Sequence, residues 1–188
     1  MKVNRIFILG LLISMLTLPI SSFAISWNDG SFIHEYQTYQ SSGISWDDAA
    51  SWISTTLGSD WYLATITSAA EQSFIDINVF GSFGGEYWIG GYQNPTNSSP
   101  SDNWHWVTIE PFVYTNWSFG EPNDYYGSGS ENYLAANWYG WYWNDEGAFG
   151  NIAGFVAERT TPVPEPATML LLGLGLIGLW GLRRKFKK

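Results

Sequence analysis

The chain is partitioned by its own hydropathy. Met1-Lys2-Val3-Asn4-Arg5 leads into an apolar run from Ile6 to Ile20 and then Ser22-Phe23-Ala24. At the other end Val163-Pro164-Glu165-Pro166 leads into an apolar run from Ala167 to Leu182, closed by Arg183-Arg184-Lys185-Phe186-Lys187-Lys188. A short basic start, an apolar core and a small-x-small site are the parts of a secretory signal peptide. Residues 1–24 are therefore expected to be a leader cut after Ala24, with a retained membrane helix as the alternative. The run 167–182 predicts a membrane helix of roughly 24 Å, a little short of a bilayer core, with the basic side chains reaching the interface. That basic cluster stays cytoplasmic, so the residues before Pro164 lie outside. One domain, residues 25–160, remains to fold there, and with no cysteine in the chain it does so without disulfides.

Charge is divided the same way. Seven of the eight basic residues sit at the two ends, leaving Arg159 alone in residues 25–166 against all 17 acidic residues, a formal charge of −16 where the whole chain carries −9. Such a surface repels nucleic acid, anionic lipid and acidic polysaccharide, and favours divalent cations and neutral partners. Eleven of the 12 tryptophans fall in the same segment, too many for a ligand platform, so most are expected in the core.

Ser45 and Asp48 form a capping box ahead of Trp46, Ala50, Ile53 and Leu57, and Gly58 stops that helix. Ser68 and Glu71 open a second helix ahead of Ala70, Phe74 and Ile77. Tyr62 to Ile66 has strand character. Glu86 to Tyr92 reads as a strand buried on both faces, and Trp104 to Val107 alternates. Tyr133 to Trp138, Tyr139 to Asn144 and Ile152 to Glu158 are further short strands. Tyr114 to Gly129 is polar, Gly-rich and without period; so long a stretch in a compact domain is functional or disordered. Early helices followed by an antiparallel sheet make an α+β fold.

Oxygen-bearing side chains cluster late in the chain, at Glu121, Asn123, Asp124, Glu131, Asn144 and Asp145. Carboxylates mixed with amides suit Ca²⁺, a hard cation, and not zinc. His34 and His105 have no partner at ligand spacing, and each is expected as a surface or core histidine. With no nucleophile elbow, zinc motif or cysteine, an enzyme is not expected.

Trp117-Ser118-Phe119-Gly120-Glu121-Pro122-Asn123, then Glu131-Asn132, then Trp143-Asn144-Asp145 resemble the calcium- and sugar-binding loop of C-type lectin domains. Leu63 to Glu71, Trp88-Ile89-Gly90-Gly91 and Phe155 to Glu158 fall in the matching order, and the resemblance covers Tyr36 to Arg159. It implies a C-type lectin-like fold, with helices, small antiparallel sheets and a long binding loop. It also implies that Glu121, Asn123, Glu131, Asn144 and Asp145 ligate calcium. The first four would also bond neighbouring hydroxyls of a mannose-, glucose- or N-acetylglucosamine-type sugar, and Pro122 would follow a cis bond. One of Trp138, Tyr139, Trp141 and Tyr142 could stack on a sugar face. The positions at which the family carries its paired cysteines hold Ile53 with Ala157 and Tyr133 with Ala148. Trp88-Ile89-Gly90-Gly91 ends in Gly where the family has Leu, and two extra residues lie between Asn123 and Glu131.

The C-terminal order of Pro-Glu-Pro, apolar stretch and basic end resembles the PEP-CTERM sorting signal of Gram-negative bacteria. It implies anchoring in the inner membrane by a helix within 161–188, processing by an exosortase, and delivery to the cell surface or extracellular matrix. The expectation is an exported, calcium-dependent module for neutral hexoses of exopolysaccharide or cell-surface glycans. The alternative is a structural or protein-binding matrix component in which calcium only stabilises the loop.

Overall fold

The computed structural model describes residues 20–21, 24–81, 83–94, 99–147 and 151–165. No helix among them is long and apolar enough to cross a membrane, and the span expected at 167–182 lies outside the described residues.

The elements run β1 (Ile20–Ser21), β2 (Ile25–Asn28), β3 (Phe32–Gln40), α1 (Trp46–Thr56), β4 (Tyr62–Leu63), α2 (Ala69–Ile75), a π-helical turn (Asp76–Phe80), β5 (Glu86–Gln93), β6 (Trp104–Trp106), β7 (Tyr133–Trp138), β8 (Tyr142–Glu146) and β9 (Ile152–Pro162). The strands join in the order β1-β3-β9-β5-β7-β8, with β2 on β3, β4 on β9 and β6 on β5. The expected all-antiparallel pattern holds except between β5 and β9, which run parallel.

Helix α1 starts as its capping box dictates: Ser45 Oγ accepts from the Asp48 amide at 3.1 Å. It stops at Gly58, whose φ of +112° suits glycine. Its buried face is Trp46, Ala49 and Ile53. Helix α2 is capped by Ser68, but its buried face is not the one the periodicity predicts. Glu71, Gln72 and Ile75 are inside, while Ile77 is 67% exposed. Two causes act. The π turn, closed by the Gly81 amide on the Asp76 carbonyl, shifts the phase so that Val79 and Phe80 point inward. Glu71 and Gln72 tolerate burial because each is hydrogen-bonded there: Glu71 accepts from Tyr36 at 2.6 Å, and Gln72 accepts from the Trp143 indole at 2.9 Å.

Alternate residues of β5 and β9 enter different cores. Tyr87, Ile89 and Val156 pack with Tyr36, Ile66, Ile75, Phe80, Trp106 and Trp143. Trp88, Phe155 and Ala157 pack with Tyr39, Trp46, Ile53, Trp61 and Leu63. Glu86 to Tyr92 is thus covered on both faces, as its apolar run implies. Ile53 and Ala157 meet inside one of these cores, so burial occupies a place where a disulfide was not available. Gly91 stands where Leu134 fills the space: a Cβ there would lie 2.7 Å from the Leu134 side chain.

Strands β2 and β3 were not anticipated. They form a hairpin around Asn28-Asp29-Gly30-Ser31. Asn28 Oδ1 accepts from the Gly30 amide at 2.8 Å, and Asp29 Oδ1 accepts from the Ser31 and Phe32 amides at 2.7 and 2.6 Å. The Asp-Gly pair and the alternation of His34, Tyr36 and Thr38 were the available signals.

His34 is a core histidine with carboxylate partners. Its Nδ1 is 2.7 Å from Glu158 and 3.9 Å from Glu71, and its Nε2 is 3.6 Å from Asp29. His34, Glu71 and Glu158 each place a ligand-type atom within 4.8 Å of the others, although 37 and 87 residues separate them in sequence. Burial opposes the charged imidazolium, but the Glu158 hydrogen bond and charge, with Glu71 and Asp29, outweigh it and raise the His34 pKa. Burial, then the Glu158 charge, pushes Glu71 up to about 7. Both shifts have the same sign: each group binds its proton more tightly when folded, so its stabilisation is complete at low pH and lost as pH rises through the folded value. With calcium saturating, the melting temperature is expected to fall as pH rises from about 4.5 through about 7, where Glu71 loses its proton, and further above 6.5 as His34 does, and His34→Gln to flatten the upper part of that slope. A melting temperature that rises across this range would refute the assignment.

Candidate functional site

The segment 114–132 is built by hydrogen bonds rather than regular structure. Trp117 bridges Trp143 of β8, the Ser118 amide donates to the Trp143 carbonyl at 2.8 Å, and the Trp143 amide donates to the Asn116 carbonyl at 2.8 Å. The Glu121–Pro122 bond is cis. Beyond it the chain is tied down by carboxylates. Asp145 accepts from the Asn123 amide at 2.9 Å and the Asp124 amide at 2.8 Å. Asp124 accepts from the Gly129 and Glu131 amides at 2.8 and 3.0 Å. Glu131 Oε2 accepts from the Tyr125 amide at 2.6 Å. This long loop is therefore held by charge-assisted bonds to its own backbone.

The result is an open cleft of about 390 Å³ lined by Glu121, Asn123, Tyr125, Tyr126, Glu131, Trp138, Asn144 and Glu146. Four of the five residues that the sequence marks as calcium ligands are on that lining: Glu121, Asn123, Glu131 and Asn144. Asp145 is fully buried, with its carboxylate bound to the 123–124 backbone. Asp124, with both oxygens bonded to backbone amides, closes its own loop. The sequence reading missed Glu86 and Glu146. Glu86 comes from β5, and strand pairing brings it beside β8 through the Tyr87–Ala136 and Ala135–Asn144 registers. The Asn144 side-chain amide donates to Glu86 Oε1 at 3.2 Å and to Glu146 Oε1 at 3.1 Å. Only the adjacency of Glu146 to Asp145 could have suggested it from sequence.

The electrostatics are one-sided, because among the described residues no basic side chain lines the cleft. Burial, then the charge of Asp145, pushes Glu121 up to about 7. Burial pushes Glu131 up to about 7 despite its bond from the Tyr125 amide. Burial, with the Glu146 charge second, takes Glu86 to about 8. Burial also raises Asp145 and Glu146. Glu121 Oε2 is buried with no hydrogen-bond partner among the described residues. An all-oxygen donor set, crowded acidic groups and an orphaned carboxylate oxygen fit a hard divalent cation.

The aromatic flank is exposed. Tyr125 and Tyr126 are 77% and 79% exposed and meet edge-to-face, and Trp138 packs on Tyr139 at 4.4 Å.

Comparison with known proteins agrees with this geometry. Residues 42–149 match the lectin C-type domain, and residues 162–185 match the PEP-CTERM protein-sorting motif, which implies export and C-terminal membrane anchoring. Ladderlectin from Oncorhynchus mykiss is 36% identical over 104 residues, covering 54% of this chain and 52% of that protein, so the chain spans about half the length of this curated relative. The C-type lectin domain of murine dendritic cell inhibitory receptor 2, solved in complex with N-glycan, superposes with a TM-score of 0.56 at 26% identity, covering 72% of this chain and 96% of that one. A calcium-independent type II antifreeze protein shares the fold with a TM-score of 0.53 at 18% identity, covering 76% and 98%. With the lectin match spanning more than half of its length, the chain belongs to the C-type lectin domain family.

Proposed function

We propose that the protein is an exported, calcium-dependent carbohydrate-binding module that holds hexose units of exopolysaccharide or cell-surface glycans. The observation that carries the reading is the convergence of Glu121, Asn123, Glu131 and Asn144 on one cleft whose carboxylates meet no basic side chain among the described residues. Glu121, Asn123, Glu131 and Asn144 would hold calcium by oxygen from the cleft side, with Asp145 beneath them. Bound calcium would supply open coordination positions for sugar hydroxyls. Glu121 and Glu131 accept hydroxyl protons, and the Asn123 amide donates to hydroxyl oxygens. The Glu-Pro-Asn order points to mannose-, glucose- or N-acetylglucosamine-type sugars. The relative solved with N-glycan supports the sugar reading.

The purified chain is expected to melt higher in calcium than in EDTA, by the equivalent of about 2–3 kcal/mol at a hundredfold excess over Kd. Mannose is expected to add a further rise only when calcium is present. The second reading, a matrix protein whose loop merely needs calcium, draws on the backbone bonds that Asp145 and Asp124 already make. It predicts the calcium rise without any sugar effect in melting or on a glycan array. No calcium rise at all would overturn both and would align the chain with its calcium-independent relative.

A further inference from the structure

We propose that the cleft prefers a hexosamine unit bearing a free ammonium group over neutral or N-acetylated hexoses, and that Glu146 is the residue that sets this preference. The inference rests on the carbohydrate reading above and sharpens its ligand class from neutral to cationic. The first observation is donor scarcity. Asn144 donates to both Glu86 and Glu146, so both of its N–H groups are spent before a ligand arrives. Of the cleft amides, Asn123 remains to donate to a ligand oxygen, beside the Tyr125 and Tyr126 hydroxyls and the Trp138 indole N–H on the flank, while Glu121, Glu131 and Glu146 are acceptors. The carboxylate side of the cleft therefore favours a ligand group that donates. A sugar ammonium offers three N–H donors; an N-acetyl group offers one and adds a carbonyl that needs a donor.

The second observation is charge. Three carboxylates line the cleft, with Asp145 fully buried and Glu86 2% exposed behind it, and among the described residues no basic side chain faces them. One divalent cation offsets two negative charges. The carboxylates that remain make a negative pocket, inside a domain whose single basic residue, Arg159, is bonded to Glu35 instead. The third is the flank. Tyr125, Tyr126 and Trp138 line the cleft, and aromatic rings attract an ammonium as well as sugar C–H surface. Glu146 is placed to act because it lines the cleft and sits outside the ligand set proposed for calcium.

The test is calorimetry on the purified full chain with glucosamine tetramer, N-acetylglucosamine tetramer and a mannose oligomer, each in calcium and in EDTA. In calcium the glucosamine tetramer is expected to bind about tenfold more tightly than either neutral oligomer, with that margin shrinking between about 50 and about 500 mM salt. Glu146→Gln can still accept from Asn144. It is expected to bring the three oligomers within about threefold of one another while keeping the calcium-induced rise in melting temperature. If a neutral or N-acetylated oligomer binds as well as glucosamine in calcium, the preference is overturned and the carbohydrate reading stands. If no oligomer binds in an EDTA-sensitive way, the carbohydrate reading itself falls. An unchanged glucosamine preference in Glu146→Gln overturns the role of that residue.

Discussion

Asp145→Ala is expected to lower stability by about 3–4 kcal/mol and to abolish the response to calcium. Asp145 is fully buried and binds the backbone amides of Asn123 and Asp124. Removing it strands the buried Asp124 amide, at about 1–3 kcal/mol, and releases the part-buried Asn123 amide with it. It also removes the buried negative charge behind Glu121 and Glu131, so under the proposed ligand set a calcium ion would lose an oxygen while the loop loses its anchor. The burial that raises the pKa of Asp145 offsets part of the loss, because an ionised carboxylate costs free energy at that depth. Thermal melts in calcium and EDTA read both effects: a drop of about 10 °C, and coincident curves for the variant. A variant that loses under about 1 kcal/mol and still rises with calcium would show that the loop is held elsewhere.

Trp143→Ala carries the second large effect, an expected loss of about 3–5 kcal/mol. The Trp143 side chain is fully buried, with ring centroids of Trp106, Tyr114 and Trp117 each 5.7 Å away and that of Phe112 at 6.1 Å. Alanine leaves a large cavity and takes the indole donor from Gln72. The backbone bonds from Trp143 to Asn116 and Ser118 do not depend on the side chain. Whatever fraction remains folded is therefore expected to keep its calcium response, which separates a packing role from a ligand role. Trp143→Phe is expected to lose about half as much, because a ring still fills part of the space. Near-ultraviolet circular dichroism against temperature measures the difference, and equal stability of the alanine variant and the parent would remove Trp143 from the core.

The two variants alter neighbours in sequence and act by different physics, which shows where sequence reading succeeds and stops. Trp143-Asn144-Asp145 was legible as a unit through its resemblance to the binding loop of C-type lectin domains. The capping boxes at Ser45 and Ser68 and the stop at Gly58 were legible because each is a local hydrogen-bond rule. The β5 run was legible because continuous hydrophobicity over that length needs two covered faces. The face of α2 was misread. Periodicity assumes apolar residues turn inward, and here Glu71 and Gln72 are inside because Tyr36 and Trp143 satisfy them. The hairpin of β2 and β3 was overlooked beside the apolar leader, although its Asp-Gly turn was visible.

The sequence alone determined the acidic, cysteine-free domain between two apolar ends and the starts of both helices, and it named the oxygen-bearing residues proposed to serve a hard cation. Those follow from local chemistry and composition, which need no partner across the fold. Tertiary structure alone decided that Asp145 lies beneath the cleft while Glu146 lines it, that Glu86 from a distant strand occupies the Asn144 amide, and that His34 meets Glu71 and Glu158. Strand order and register make those meetings, and they are set by the packing of two cores on either side of β5 and β9. No pattern within one segment encodes which distant carboxylate will lie opposite it.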